Sequence, residues 1–225
     1  TKLRQLLLIT TDKCYKNSKS NKIKFFDEND ELGGDEPYAA SKASAEIVID
    51  SYVKTYFKKN KIQITTARAG NIIGGGDWAK DRIIPDIFKS LKNGKKLVIR
   101  NPNATRPWQH VLDVINGYIL LIESKKTGSW NFGPKLKSSQ RVIDILNFFK
   151  KKNNKLKWLL KRTKYKNESI NLNLSSKKSL KLLKWSPKWD FKKSLTNTQE
   201  WYECFYTKKD IINFTNNQIK NYFKI

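Results

Sequence analysis

The stretch Leu6-Leu7-Leu8-Ile9-Thr10-Thr11-Asp12-Lys13 decides the fold. Its apolar residues follow one another without polar alternation, the pattern of a strand buried on both faces of a parallel sheet. The strand ends in polar residues, and open α/β sheets place their ligand sites at the carboxyl ends of their strands. Thr11 and Asp12 also suit an ordinary strand-ending turn. The neighbours of so central a strand are expected in sequence preceding Thr1, and with no Met anywhere in the chain, position 1 is not expected to be the true beginning.

Working outward, a polar loop runs through Gly33-Gly34, and Pro37 stands where the first turn of a helix tolerates it. Residues 38–57 read as a long helix. Within it Tyr38 and Lys42 are four apart, hence on one face. A tyrosine hydroxyl ordinarily titrates near ~10, too high for a base at neutral pH, and a cation held beside it favours the phenolate. In a Lys-rich chain the spacing also arises by chance; its place, one loop after a strand ending in Thr11-Asp12, gives it weight. Residues 61–67 read as a second strand, 83–91 as a helix, 96–100 as a strand, 111–123 as an amphipathic helix and 129–132 as a strand ended by Gly133-Pro134. Beyond that the chain is Lys-rich and helical in pattern. Strands alternating with helices argue for an α/β fold.

The net charge of +26 invites a nucleic-acid reading. Lys carries it almost alone, with Arg only at Arg4, Arg68, Arg82, Arg100, Arg106, Arg141 and Arg162. Readers of base edges and phosphate forks favour Arg, so the scattered lysines read as solvated surface. Neither nucleic acid nor a membrane is an expected partner, since no apolar run approaches the ~20 residues of a membrane span. Cys14 and Cys204 lack metal-ligand spacing and fit a reduced cytoplasmic protein with no metal site.

At this point the chain resembles the extended short-chain dehydrogenase/reductases, whose signature is a strand-end Ser or Thr followed by a helical Y-x-x-x-K. Within that group it is similar to the CDP-glucose 4,6-dehydratases. The matching stretches are TTDKCY (10–15), EPYAASKASAE (36–46), ARAGNIIGGGDWAKDRIIPD (67–86), RNPNATRPWQHVLD (100–113) and WNFGP (130–134). The resemblance implies a Rossmann-type parallel sheet with a smaller α/β substrate-binding domain. Residues 1–69 and 106–134 would be the remainder of the NAD-binding domain, and 70–105 and 135–225 the substrate domain.

It also implies NAD as cofactor, a nucleotide-linked glucose such as CDP-glucose as substrate, lyase chemistry, and a homodimer when complete. Tyr38 would take the C4 hydroxyl proton, Lys42 would stabilise its phenolate and hold the nicotinamide ribose, and Thr11 would share a hydrogen bond with the same oxygen. Asp12 would protonate the departing C6 hydroxyl, and Lys13, where the dTDP-glucose relatives carry Glu, stands at the position of the C5 base. Arg106 would meet the substrate's pyrophosphate, and Asn71 and Arg82 would line the nucleotide-sugar cleft. His110 is expected to be a packed histidine beside Trp108. The alternative among enzymes is another extended-family member, a sugar-nucleotide epimerase or a different dehydratase; the alternative from another class is a non-catalytic basic binding remnant.

Four departures stand out. Lys166-Asn167-Glu168-Ser169 replaces a Pro-His-Glu-Ala stretch, Ser175 an Asp, and Lys184 a Gly before Trp185. No G-x-x-G-x-x-G loop, the opening of a dinucleotide's pyrophosphate site, occurs. A segment of on the order of a hundred residues, at ~30 per βαβ unit, is expected to supply it, and residues 1–225 alone are expected to be poorly soluble, to bind no NAD and to have no dehydratase activity.

Overall fold

The computed structural model describes residues 3–17, 24–57, 62–135, 140–161 and 172–225. In chain order the elements are β1 (Gln5–Ile9), a 3₁₀ turn (Asp12–Cys14), β2 (Phe25–Phe26), α1 (Pro37–Tyr52), β3 (Gln63–Ala69), β4 (Ile72–Ile73) and α2 (Ile83–Asn93). Then come β5 (Leu97–Ile99), β6 (Thr105–Arg106), β7 (Gln109–His110), α3 (Val111–Glu123), β8 (Gly128–Phe132), β9 (Gln140–Arg141) and α4 (Val142–Lys152). The last are β10 (Trp158–Leu160), β11 (Asn173–Leu174), α5 (Lys177–Leu183), α6 (Phe191–Tyr206) and α7 (Ile211–Phe223). The α/β class expected from the sequence is thus observed, and α3 has the bounds its apolar spacing predicts.

The sheet that positions the site runs β1–β3–β8, all parallel. Among the described residues β1 is an edge strand, its side chains are half-buried, and Ile9 is 61% exposed. The long helix is shorter than expected: α1 ends at Tyr52, and Val53–Phe57 widen into a π-helical turn.

The sheet has two unlike faces. Ala67, Ala69, Trp130 and Phe132 point to one side, where Val114 and Leu121 of α3 and Leu183 and Trp185 cover them. Thr66 lies level with Ser129 and Arg68 with Asn131 on the other side, beneath α1. That second face is polar and nevertheless buried. A separate apolar core joins α2, α4, α6 and β5 through Ile87, Phe88, Leu97, Ile145, Phe149, Leu195 and Tyr202. A third cluster sets Cys14, Tyr15 and Phe26 against Leu172 and Leu174.

The glycine run that breaks the chain after β4 is also a platform. A Cβ on Gly75 would lie 2.0 Å from the Trp201 ring, so α6 approaches as closely as it does only because no side chain intervenes. Lys184 explains one departure in physical terms. It caps α5 at φ 55°, in the left-handed region where glycine escapes the Cβ clash. Ser175 is buried just past β11, its N–H donating to the Phe26 carbonyl at 2.8 Å. The stretch 166–169 lies outside the described residues. No helix among the described residues is long and apolar enough to cross a membrane.

Candidate active site

The end of β1 and the start of α1 meet at one place. Thr11 leaves the strand extended and caps the 3₁₀ turn, its Oγ1 accepting from the Lys13 N–H at 3.4 Å. The same hydroxyl donates to Asp12 Oδ1 at 3.1 Å. Asp12 is 2% exposed, and its second oxygen, Oδ2, has no hydrogen-bond partner among the described residues. Burial pushes its carboxyl up to about 6, against the Thr11 hydrogen bond and the charges of Lys13 and Arg106. A carboxyl poised there exchanges a proton near neutral pH, as a general acid must.

Glu36 caps α1 by accepting the Tyr38 and Ala39 N–H groups at 3.0 and 2.8 Å, and Pro37 fills the first position. Tyr38 therefore stands on the opening turn, 47% exposed, with its hydroxyl available to a ligand. Two ammonium groups flank its ring: Lys13 Nζ lies 5.4 Å from the centroid and Lys42 Nζ 5.6 Å. Tyr38, Lys42, Thr11, Asp12 and Lys13 are thus gathered, and Arg106, on β6, is near enough for its charge to act on Asp12.

Asn71 and Arg82 are not part of that cluster's hydrogen bonding. Asn71 precedes β4, and its carbonyl accepts from the Gln109 N–H at 3.0 Å. Arg82 stands exposed before α2, with Asp77 3.9 Å away. His110 is buried, but its ring meets Trp189 edge-on at 4.5 Å, and its Nδ1 caps α3 by accepting from the Leu112 N–H at 3.2 Å. Burial lowers its pKa to about 3. It is a structural histidine, with Trp189 as the ring partner in place of the expected Trp108.

Sequence reasoning missed the buried pair Glu46–Arg68. Arg68 Nε and Nη2 donate to Glu46 Oε1 and Oε2 at 2.9 and 2.8 Å, with both residues 3% exposed. Against its burial, Arg68 and the Thr10 and Thr66 hydroxyls hold the Glu46 carboxyl below the usual carboxylate range. The available signal was Thr66 and Arg68 alternating with alanines in a strand, together with Glu46 one further turn along the Tyr38–Lys42 row.

On the opening turns of α1, Tyr38 and Lys42 set a phenol beside an ammonium, a donor set that fits a ribose diol. Fold and site together define a doubly covered parallel α/β sheet with a Tyr–Lys helix at its carboxyl edge. Residues 1–133 match the model of the NAD dependent epimerase/dehydratase family, and the chain belongs to that family.

The chain is 33% identical to CDP-glucose 4,6-dehydratase of Salmonella typhimurium, over 98% of its own length and 64% of that relative's. It is 25% identical to dTDP-D-glucose 4,6-dehydratase of Homo sapiens, over 93% of this chain and 60% of the relative. The chain thus spans less than two thirds of the length of these relatives. Two solved structures share the fold. UDP-glucuronic acid 4-epimerase from Bacillus cereus has TM-score 0.78 at 22% identity, over 92% of this chain and 63% of that one. dTDP-glucose 4,6-dehydratase from Bacillus anthracis has TM-score 0.75 at 22% identity, over 88% and 61%.

Proposed function

We propose that the chain carries the catalytic and substrate-binding part of a 4,6-dehydratase acting on a nucleotide-linked glucose, with CDP-glucose as the substrate. The observation that carries this reading is the buried Asp12, its carboxyl raised to about 6, in the same turn as Lys13, whose ammonium lies 5.4 Å from the Tyr38 ring. Epimerisation at C4 needs a base for one hydroxyl proton; expelling water from C6 needs an acid as well.

NAD, when bound, supplies the hydride acceptor for C4 and the source of its return to C6. Tyr38 takes the C4 hydroxyl proton, with Thr11 hydrogen-bonded to the same oxygen and Lys42 holding the phenolate and the cofactor's ribose. The C4 ketone acidifies the C5 proton; Lys13, on the exposed side of the turn, accepts it once its own ammonium has released a proton, and gives it back to C5 when hydride returns to C6. Asp12 donates its proton to the C6 hydroxyl, which leaves as water. Arg106 meets the pyrophosphate, where a planar guanidinium matches two oxygens at once, and Asn71 and Arg82 line the cleft. The net change is loss of one water to give the 4-keto-6-deoxy sugar nucleotide.

The division into a cofactor half (1–69, 106–134) and a substrate half (70–105, 135–225) belongs to the same proposal. The two large apolar clusters support it, with Leu183 and Trp185 of the second half reaching the sheet of the first. Mass spectrometry of the full protein's product from CDP-glucose and NAD tests the reaction. A product lighter by one water supports dehydration; a product of unchanged mass with an inverted sugar carbon replaces it with epimerisation.

A further inference from the structure

Helix α1 carries Tyr38 and Lys42, yet little apolar packing holds it in place. Its buried side chains are Ala39, Ala43 and Glu46, while Ile47, Val48 and Tyr52 stand exposed. Alanines let a helix approach a sheet closely but offer little to interlock, so they do not select one position along the strands. The directional hold comes from Glu46, which continues the row of Tyr38 and Lys42 at a spacing of four.

Its carboxylate receives the forked Arg68 at 2.9 and 2.8 Å, the Thr66 hydroxyl at 3.0 Å and the Thr10 hydroxyl. Arg68 reaches further, its Nη1 donating to the Tyr15 hydroxyl at 2.9 Å and its Nη2 to Ser129 Oγ at 3.1 Å. Thr10 is the residue before Thr11, and Tyr15 follows the turn that holds Asp12. One buried charge pair therefore touches the helix of Tyr38, the strand end before Thr11, and the exit of the Asp12 turn.

We propose that Glu46 and Arg68 are positioning residues, which set the register of α1 along β1 and β3 and so hold Tyr38 beside the turn of Thr11, Asp12 and Lys13. Neither touches substrate; both act through the groups they anchor. The inference rests on the reading of Tyr38 as the base, and the experiment separates the two. A displaced catalytic group loses turnover steeply even when the substrate still binds.

The test uses Arg68→Lys, which keeps the charge but loses the fork, and the double variant Glu46→Leu/Arg68→Met, which removes both charges together, a change that buried ion pairs often tolerate. In the full protein kcat should fall by about 10–100-fold, as for a small misplacement of a catalytic group, while KM for CDP-glucose stays within about twofold. Hydrogen exchange should rise along Pro37–Tyr52 and remain unchanged in α3 and α6. Unchanged kcat, or a loss confined to KM, overturns the proposal, even if α1 exchanges faster. Should the double variant fail to fold, Arg68→Lys and Thr66→Val, which removes one donor to Glu46, carry the same comparison. Tyr38→Phe runs alongside. If it keeps turnover, the reading of the base fails, and the hydrogen-exchange result alone decides whether the pair fixes α1.

Discussion

The Tyr222 hydroxyl donates to the buried carboxylate of Asp113 at 2.6 Å, joining α7 to α3 across 109 positions of sequence. The same carboxylate accepts from the Lys188 N–H at 2.6 Å, and the Asp113 carbonyl accepts from Trp185 Nε1 at 3.0 Å. Burial raises the Asp113 carboxyl above the usual range, and its hydrogen-bond donors act against that. Tyr222→Phe removes the hydroxyl and leaves the ring. It should lower stability by about 1.5–3 kcal/mol, the range for a hydrogen bond to a charged group, measured by urea unfolding. A change near zero would mean that the peptide N–H of Lys188 suffices.

His110 gives a pH dependence whose sign can be worked out. Its folded-state pKa lies near 3 against an ordinary 6.5, so between those values the unfolded chain binds the extra proton and stability falls as pH falls. Asp12 acts in the opposite sense. Its pKa, raised from 3.8 to about 6, makes the folded state bind the proton in that window, so stability rises as pH falls. His110→Asn keeps a cap acceptor for the Leu112 N–H and removes the first effect alone. From its ordinary 6.5 downward, the variant should gain on the parent by up to ~1.4 kcal/mol per pH unit. Parallel stability curves in urea melts at several pH values would show that His110 protonates without cost.

Lys184 sits at φ 55° at the end of α5. Lys184→Gly should relieve the left-handed strain, and the extra freedom of glycine in the unfolded chain takes back part of the gain. The net is a stabilisation of about 0.5–1 kcal/mol, visible as a raised thermal midpoint with no change in far-UV circular dichroism. A lowered midpoint would show that the lysine stem contributes packing that the backbone conformation does not reveal.

Tyr38→Phe and Asp12→Asn separate the two halves of the proposed chemistry in the full protein. Loss of the Tyr38 hydroxyl should reduce turnover by ~10²–10⁴-fold, the usual worth of a positioned proton transfer, with little effect on CDP-glucose affinity. Asp12→Asn should still permit oxidation at C4, so reduced-nicotinamide absorbance should build up while the 6-deoxy product does not. Rapid product release without that absorbance would remove Asp12 from the role of acid.

Local pattern was enough for much of this molecule. The apolar spacing of residues 111–123 marks α3, with the bounds the fold adopts, and the four-residue step from Tyr38 to Lys42 places both beside one another on α1. Helical and strand periods are short-range properties of the backbone, so they can be read from neighbours a turn or a pleat away. Tertiary structure alone decided that Trp189 and not Trp108 meets His110, and that a polar sheet face is buried. Neither Glu46 nor Arg68 is marked as an interior charge by its own element alone. They enter the interior only because α1 brings one over the other from 22 positions away, where each supplies the countercharge and the hydrogen bonds that make the other's burial tolerable.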